Sequence, residues 1–250
     1  MKYEDCEIVV VDNGSANESV GVLKERFGSN GRVHIIVSEK NLGFAKGNNL
    51  GISYAREKLG ADFVYVCNSD TVASEGLYDD VLACYEKGVG VITTPIIKPD
   101  GSFQKPDENT DSIVKKIRYS VTHLIIGMIM FFVLRQRGNP PSSSVSAEPT
   151  DCKKYVLYGC SFFLTPDFFD CYGGLYPKTF LYWEEKNLLF MIHKAALKCA
   201  VAETEPVLHK VKGSTVTDDL QAFKLRNAFK SMLKSLPLYF MSLKRISEKY

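Results

Sequence analysis

An α/β fold, doubly wound around a mostly parallel sheet flanked by helices, is what three features of this sequence predict. Apolar, β-branched runs alternate with helix-patterned stretches from the start of the chain to residue 97, and such alternation implies parallel strands joined by right-handed crossovers. Three of the runs or their following turns end in polar clusters: Asp12-Asn13-Gly14-Ser15, Asn41 to Asn49, and Asn68-Ser69-Asp70. At 250 residues, 45% hydrophobic and 24% charged, the chain can bury a real core.

The elements follow in order. "CEIVVVDNGS" is a continuous β-branched run closed by Asp-Asn-Gly, the pattern of a strand buried on both faces. Residues 16–27 read as a helix, capped by Asn17, with Val20, Leu23 and Phe27 on one face. "VHIIVSE" is a second strand, and "NLGFAKGNNLGISYAREKLG" a glycine-rich turn entering a helix that stops at Gly60. "DFVYVCNSD" is a third strand, a helix occupies residues 75–87, and "GVGVITTPII" is a fourth strand. The regularity then stops. Residues 98–118 are polar, 119–134 ("YSVTHLIIGMIMFFVL") strongly apolar, and 137–150 Pro/Ser-rich, which reads as a mobile loop. "KKYVLYGCSFFLTPDFF" restores a strand and a turn into a helix, and the stretch from Phe180 to Thr215 gives a helix, a strand and a polar exit.

Composition narrows the function classes. A net charge of +2 does not call for nucleic acid. The seven cysteines show no C-x-x-C pairing, which favours a reducing, cytoplasmic setting over a disulfide scaffold or zinc site. No leader is expected, since Met1 is followed by charged residues and then a strand. The apolar segment 119–134 falls short of the ~20 residues of a spanning helix and reads as buried or interfacial. From Lys224 onward, Lys and Arg outnumber Glu248 in a stretch that also carries Leu, Phe and Tyr. It reads either as a helix resting on an anionic surface or as a solvated terminal helix.

Ligands of open parallel sheets bind beyond the carboxyl ends of the strands, where all three polar clusters fall. In that order and spacing, "VVVDNGS", "NLGFAKGNN", "NSD", "GCSFFLTPDFFDCYGGLYPKTFLYWEEKNL" and "VLHKVKGST" resemble the family 2 glycosyltransferases of GT-A fold, in particular their rhamnosyltransferase-like branch. The glycines and amides of "NLGFAKGNN" weigh most, because no packing need for them is visible in the sequence.

The resemblance implies transfer of a sugar from a nucleoside diphosphate-sugar donor to a glycan or lipid-linked acceptor, inverting and dependent on Mg²⁺ or Mn²⁺. It places the enzyme in the cytoplasm, on the inner face of the cytoplasmic membrane, in cell-wall or polysaccharide synthesis. Asn68 and Asp70 would form the metal–diphosphate motif, with His209 completing the metal shell; a hard cation suits carboxylate and phosphate oxygens. Asp12, with Asn13, would contact the base, unless it is a turn carboxylate satisfied locally. Gly43, Lys46 and Asn49 would run beside the nucleotide. Glu185 would be the base that takes the acceptor's proton, with Glu184 before it, and Tyr182 and Trp183 would offer faces to sugars. Glu185 stands where the family has aspartate, and Asn187 where it has a second acid. Family members also open with a further strand and helix, so the resemblance leaves two expectations: a start assigned too late, or a natural truncation with an incomplete donor pocket. The resemblance thus implies one domain over 1–220, with a nucleotide-binding half 1–97 and an acceptor half 98–220, followed by a basic amphipathic helix 221–250. The alternative is a non-catalytic or truncated GT-A-like binding module. A nucleotidyltransferase fits less well, for want of an early glycine-rich phosphate loop.

Overall fold

The computed structural model describes residues 6–104, 157–210, 220–248 and 250. The chain divides into a unit of residues 1–104 with 157–250 and a second unit of residues 105–156. The described residues all belong to the first. The expectations for the apolar segment 119–134, the loop 137–150 and Gly213-Ser214-Thr215 lie outside them.

The alternation read from the sequence is present: β1 (Ile8–Asp12), α1 (Ser19–Phe27), β2 (Val33–Val37), α2 (Phe44–Glu57), β3 (Val64–Cys67), β4 (Thr71–Val72), α3 (Leu77–Cys84), β5 (Val89–Thr93) and β6 (Ile96–Ile97). After the excursion come β7 (Ser161–Leu164), α4 (Pro166–Cys171), α5 (Glu184–Lys194), β8 (Lys198–Val201), β9 (Val207–His209), α6 (Leu220–Phe240) and α7 (Leu243–Ser247). Local chemistry explains several boundaries. Thr165 caps α4 by accepting the Phe168 N–H, with Pro166 in the first turn. Asn17 lies just outside α1 and takes the Ser19 N–H at 3.1 Å, while Glu18 is the N-cap. α1 buries no residue, so its expected apolar face lies on the surface.

The sheet is more mixed than expected. β1 and β2 pair in parallel, in register Val10 to Ile35. β3, β7, β5 and β8 form a second sheet, in which β7 runs antiparallel to both β3 and β5. β5–β8 and β6–β9 are parallel, and β4–β9 antiparallel. The expectation of a mostly parallel sheet assumed that strands close in sequence are neighbours. Here β7, arriving after the long excursion, lies between β3 and β5. Among the described residues, β1 pairs only with β2 and β3 only with β7, and α2 packs against both β1 and β3.

The period-2 alternation of β7 organises the core. Phe162 and Leu164 join Ala45, Ile52, Val66, Met191, Leu238 and Ile246 in one buried cluster. Phe163 points the other way, into a cluster with Leu77, Val81, Ile92 and Val207. Both faces of the four-stranded sheet are therefore covered. Helices α6 and α7 belong to this core, since Leu238 and Ile246 are completely buried.

Candidate functional site

The end of β3 carries the residues expected to form the metal motif, Asn68 and Asp70. Asn68 donates its backbone N–H to Cys160 O at 3.0 Å, and its carbonyl accepts both N–H and hydroxyl of Thr71. This turn redirects the chain into β4, whose pairing with β9 sets Thr71 opposite His209. The consequence is long-range: the His209 Nε2 lies 3.4 Å from Asp70 Oδ1. The other ring nitrogen, Nδ1, lies 2.8 Å from the Gln104 side-chain oxygen. Nε2 is thereby the ring nitrogen that faces the carboxylate. A carboxylate oxygen and an imidazole nitrogen 3.4 Å apart are close enough to be neighbouring ligands of one cation. A carboxylate oxygen and an imidazole nitrogen with an outer hydrogen bond suit a divalent ion. Among the described residues no third His, Cys, Asp or Glu joins them, so donor phosphates would have to supply further ligands.

Two residues connect this tip to the expected base. Gly159 donates its N–H to Glu185 Oε1 at 3.1 Å, and the next residue, Cys160, accepts from Asn68. Burial pushes the Cys160 thiol up to about 12, and the Glu185 and Asp70 carboxylates nearby add to the shift. Asp70 and Glu185 thus flank one short turn. Glu184 behaves differently. Its Oε1 is buried without a partner, and burial, then the charge of Glu185, raises its pKa to about 8. At neutral pH it is largely protonated, so the acidic pair carries about one negative charge rather than two.

The donor-side residues are held by one another. Asn13 donates from Nδ2 to Gly43 O at 3.1 Å and accepts the Leu42 N–H at 3.0 Å. A methyl group on Gly47 would lie 2.7 Å from that same Asn13 amide. Asn49 spends both ends of its amide on Leu175, donating to its carbonyl and accepting its N–H at 2.8 Å each. The glycines and amides of "NLGFAKGNN" therefore have packing and bonding roles that only the folded chain reveals. Asn13 and Asn49 are thus both fastened to backbone. Asp12 accepts from Ser15 N and Ser19 Oγ, both at 3.0 Å, so it is satisfied locally. Those bonds, led by Ser15, hold its pKa below the ordinary value. Lys46 stands exposed in the first turn of α2.

The loop before α5 is strained and clamped. Tyr182 and Trp183 both adopt left-handed backbone, with φ of 66° and 79°. On one side Phe180 O accepts the Phe44 N–H at 2.8 Å. On the other, Ser231 of α6 donates to Leu181 O, and Trp183 Nε1 donates to the Tyr239 hydroxyl, each at 2.9 Å. Trp183 is 6% exposed, and Lys186 Nζ covers one ring face at 4.4 Å. The tryptophan thus anchors the loop, with little of its surface open. Tyr182, half-buried, keeps its candidacy as a face for a sugar. Gln104, Ser231 and Tyr239 were missed by sequence reasoning, Gln104 because it lies in a polar stretch and the other two because their helix was read for its charge and apolar residues. Gly159 had a signal, its place at the head of the "GCSFFLTP" run.

The family profile described as "Glycosyl transferase family 2" matches residues 1–138. The chain belongs to this family. A curated relative, the dTDP-rhamnosyl transferase RfbF of Shigella flexneri, is 31% identical over 85 residues, which is 34% of this chain and 27% of that protein. Among solved structures, S. aureus TarS 1–349 matches over 95% of this chain and 65% of its own, with a TM-score of 0.50 and 11% identity. TarS 1–349 in complex with UDP scores 0.51. GalNAc-T7 with UDP, GalNAc and Mn²⁺ matches over 84% of this chain and 38% of its own, with a TM-score of 0.51 and 17% identity. At such identities the structural likenesses show a common GT-A-type fold. In this family 2 chain Asp70 and His209 lie 3.4 Å apart just beyond β3, and one short turn, Gly159-Cys160, joins that tip to Glu185.

Proposed function

We propose that this protein transfers a sugar from a nucleoside diphosphate-sugar donor to a glycan or lipid-linked acceptor, with inversion at the sugar carbon and with a divalent cation. The observation that carries this reading is the Asp70–His209 approach at 3.4 Å. Asp70 and His209 would hold Mg²⁺ or Mn²⁺, which as a Lewis acid would offset the charge of the departing diphosphate. Lys46, exposed at the start of α2, lies in the segment assigned to the donor and adds positive charge there. Glu185 takes the proton of the acceptor hydroxyl as that oxygen attacks the sugar carbon. The new carbon–oxygen bond forms on the face opposite the diphosphate, and the bond to phosphate breaks with its electron pair leaving on the nucleoside diphosphate. The hydrogen bond from Gly159 N fixes one Glu185 oxygen, and protonated Glu184 beside it keeps a second negative charge out of the site. The names of the curated relative and of the solved structures favour dTDP and UDP as the nucleotides to test.

The test is calorimetric titration of UDP and dTDP, with and without Mn²⁺, into wild type, Asp70→Ala and His209→Ala. Binding that needs Mn²⁺ and is lost in both variants is expected. Equal binding by wild type and Asp70→Ala would remove the strand tip from the donor site.

A further inference from the structure

Helix α6 buries one side and leaves another unpartnered among the described residues. Ala228, Ser231, Met232, Ser235 and Leu238 face the core and are nearly inaccessible. On the opposite side Phe229 is 44% exposed, Leu233 44% and Phe240 74%. At about 100° per residue these three share a narrow strip running about 16 Å along the axis. Arg226, Lys230 and Lys234, all exposed, form a second strip directly beside it. The pattern continues into α7, where Leu243 is 36% exposed and Lys244 and Arg245 are open to solvent. Residues 220–247 contain no Asp or Glu.

We propose that this face of α6 and α7 seats the protein on an anionic lipid bilayer. Exposed phenylalanine and leucine beside a row of cations is the arrangement that enters the boundary between headgroups and acyl chains. The excess positive charge of this face complements anionic headgroups, with Lys244 Nζ lying 3.8 Å from Glu248 Oε1. The opposite side of the same helix reaches the site, because Ser231 and Tyr239 hold the loop that leads into Glu185. Bilayer contact would thus lie one helix away from the candidate base, as a lipid-linked acceptor requires. This deepens the acceptor half of the proposed function and rests on it only for that last step.

The test is flotation of the full chain with vesicles of phosphatidylcholine alone, or mixed in equal parts with phosphatidylglycerol, without donor or acceptor. Wild type should float with the anionic vesicles and far less with the neutral ones. R226Q/K230Q/K234Q should lose about fivefold in partitioning per charge removed, about a hundredfold in all. F229S/L233S/F240S should lose the part of the binding that survives high salt. All six side chains are exposed, and any contribution from elsewhere in the chain is common to the three proteins. Equal partitioning of wild type and the charge variant would overturn the proposal. So would a wild-type dimer in solution that binds neither vesicle and that the apolar variant dissociates, since the face would then be an interface between copies. Flotation needs no turnover, so its outcome is separate from that of nucleotide binding.

Discussion

Gly43→Ala tests the link between the turn proposed to line the donor and the loop that leads into Glu185. Gly43 has φ 85° and ψ 175°, a region only glycine occupies at ease, and a side chain held there costs about 1–3 kcal/mol. An alanine Cβ would also lie 2.4 Å from Phe180 O and 2.8 Å from Phe180 Cα, both backbone atoms. Relieving that overlap costs roughly another 1–3 kcal/mol. Lost freedom in the unfolded chain returns about 0.4–1 kcal/mol. The net is about 1–6 kcal/mol, centred near 3, and at roughly 2–4 °C per kcal/mol for a chain of this size the Tm should fall by about 10 °C. Because Phe180 must retreat, the Phe44 N–H bond to its carbonyl breaks, and the Tyr182–Trp183 loop moves with it. Thermal unfolding followed by circular dichroism, together with UDP and dTDP titration, reads both effects. Gly21→Ala is the control: it is helical with nothing within 4 Å of an added methyl, so it should be slightly stabilised. A Tm for Gly43→Ala within a degree of wild type would refute the reasoning, since the Phe180 carbonyl would then yield at no cost.

Three further outcomes are expected. Glu184, with a folded pKa raised to about 8 from an ordinary 4.5, binds more protons folded than unfolded between those values. Stability is therefore fully present below about pH 4.5 and declines by up to about 1.4 kcal/mol per pH unit as pH rises toward 8; Glu184→Gln should flatten this slope in denaturant titrations at pH 5, 7 and 9, and an unchanged slope would assign the proton elsewhere. Asn187 is 1% exposed with neither amide atom bonded, so Asn187→Leu should raise the unfolding free energy by about 1–3 kcal/mol, and a loss of stability would reveal a hidden partner. Tyr239→Phe removes the acceptor for Trp183 Nε1 and should lower kcat for transfer while leaving the metal-dependent affinity for nucleotide unchanged; an equal fall in both would make the contact merely structural.

Sequence alone determined what neighbours along the chain decide. The β-branched runs gave strands, the shared face of Val20, Leu23 and Phe27 gave α1, and the glycine-rich turn before Gly60 gave α2. Asp70 at the tip of β3 and Gly43 at the entry to α2 were legible for the same reason, since turn and cap chemistry act within a few residues. Tertiary structure decided which strands are neighbours and which polar groups remain available. β7 lies between β3 and β5 although much of the chain separates it from both, because period and propensity carry no address for a distant partner. His209 meets Asp70 only because β9 pairs with β4. Asn13, Asn49 and Trp183 look in sequence like ligand contacts, yet in the fold the two amides are bonded to Leu42, Gly43 and Leu175, and the indole to Tyr239. Residue type fixes which bonds a side chain can make, but the packing of distant segments decides which groups are there to complete them.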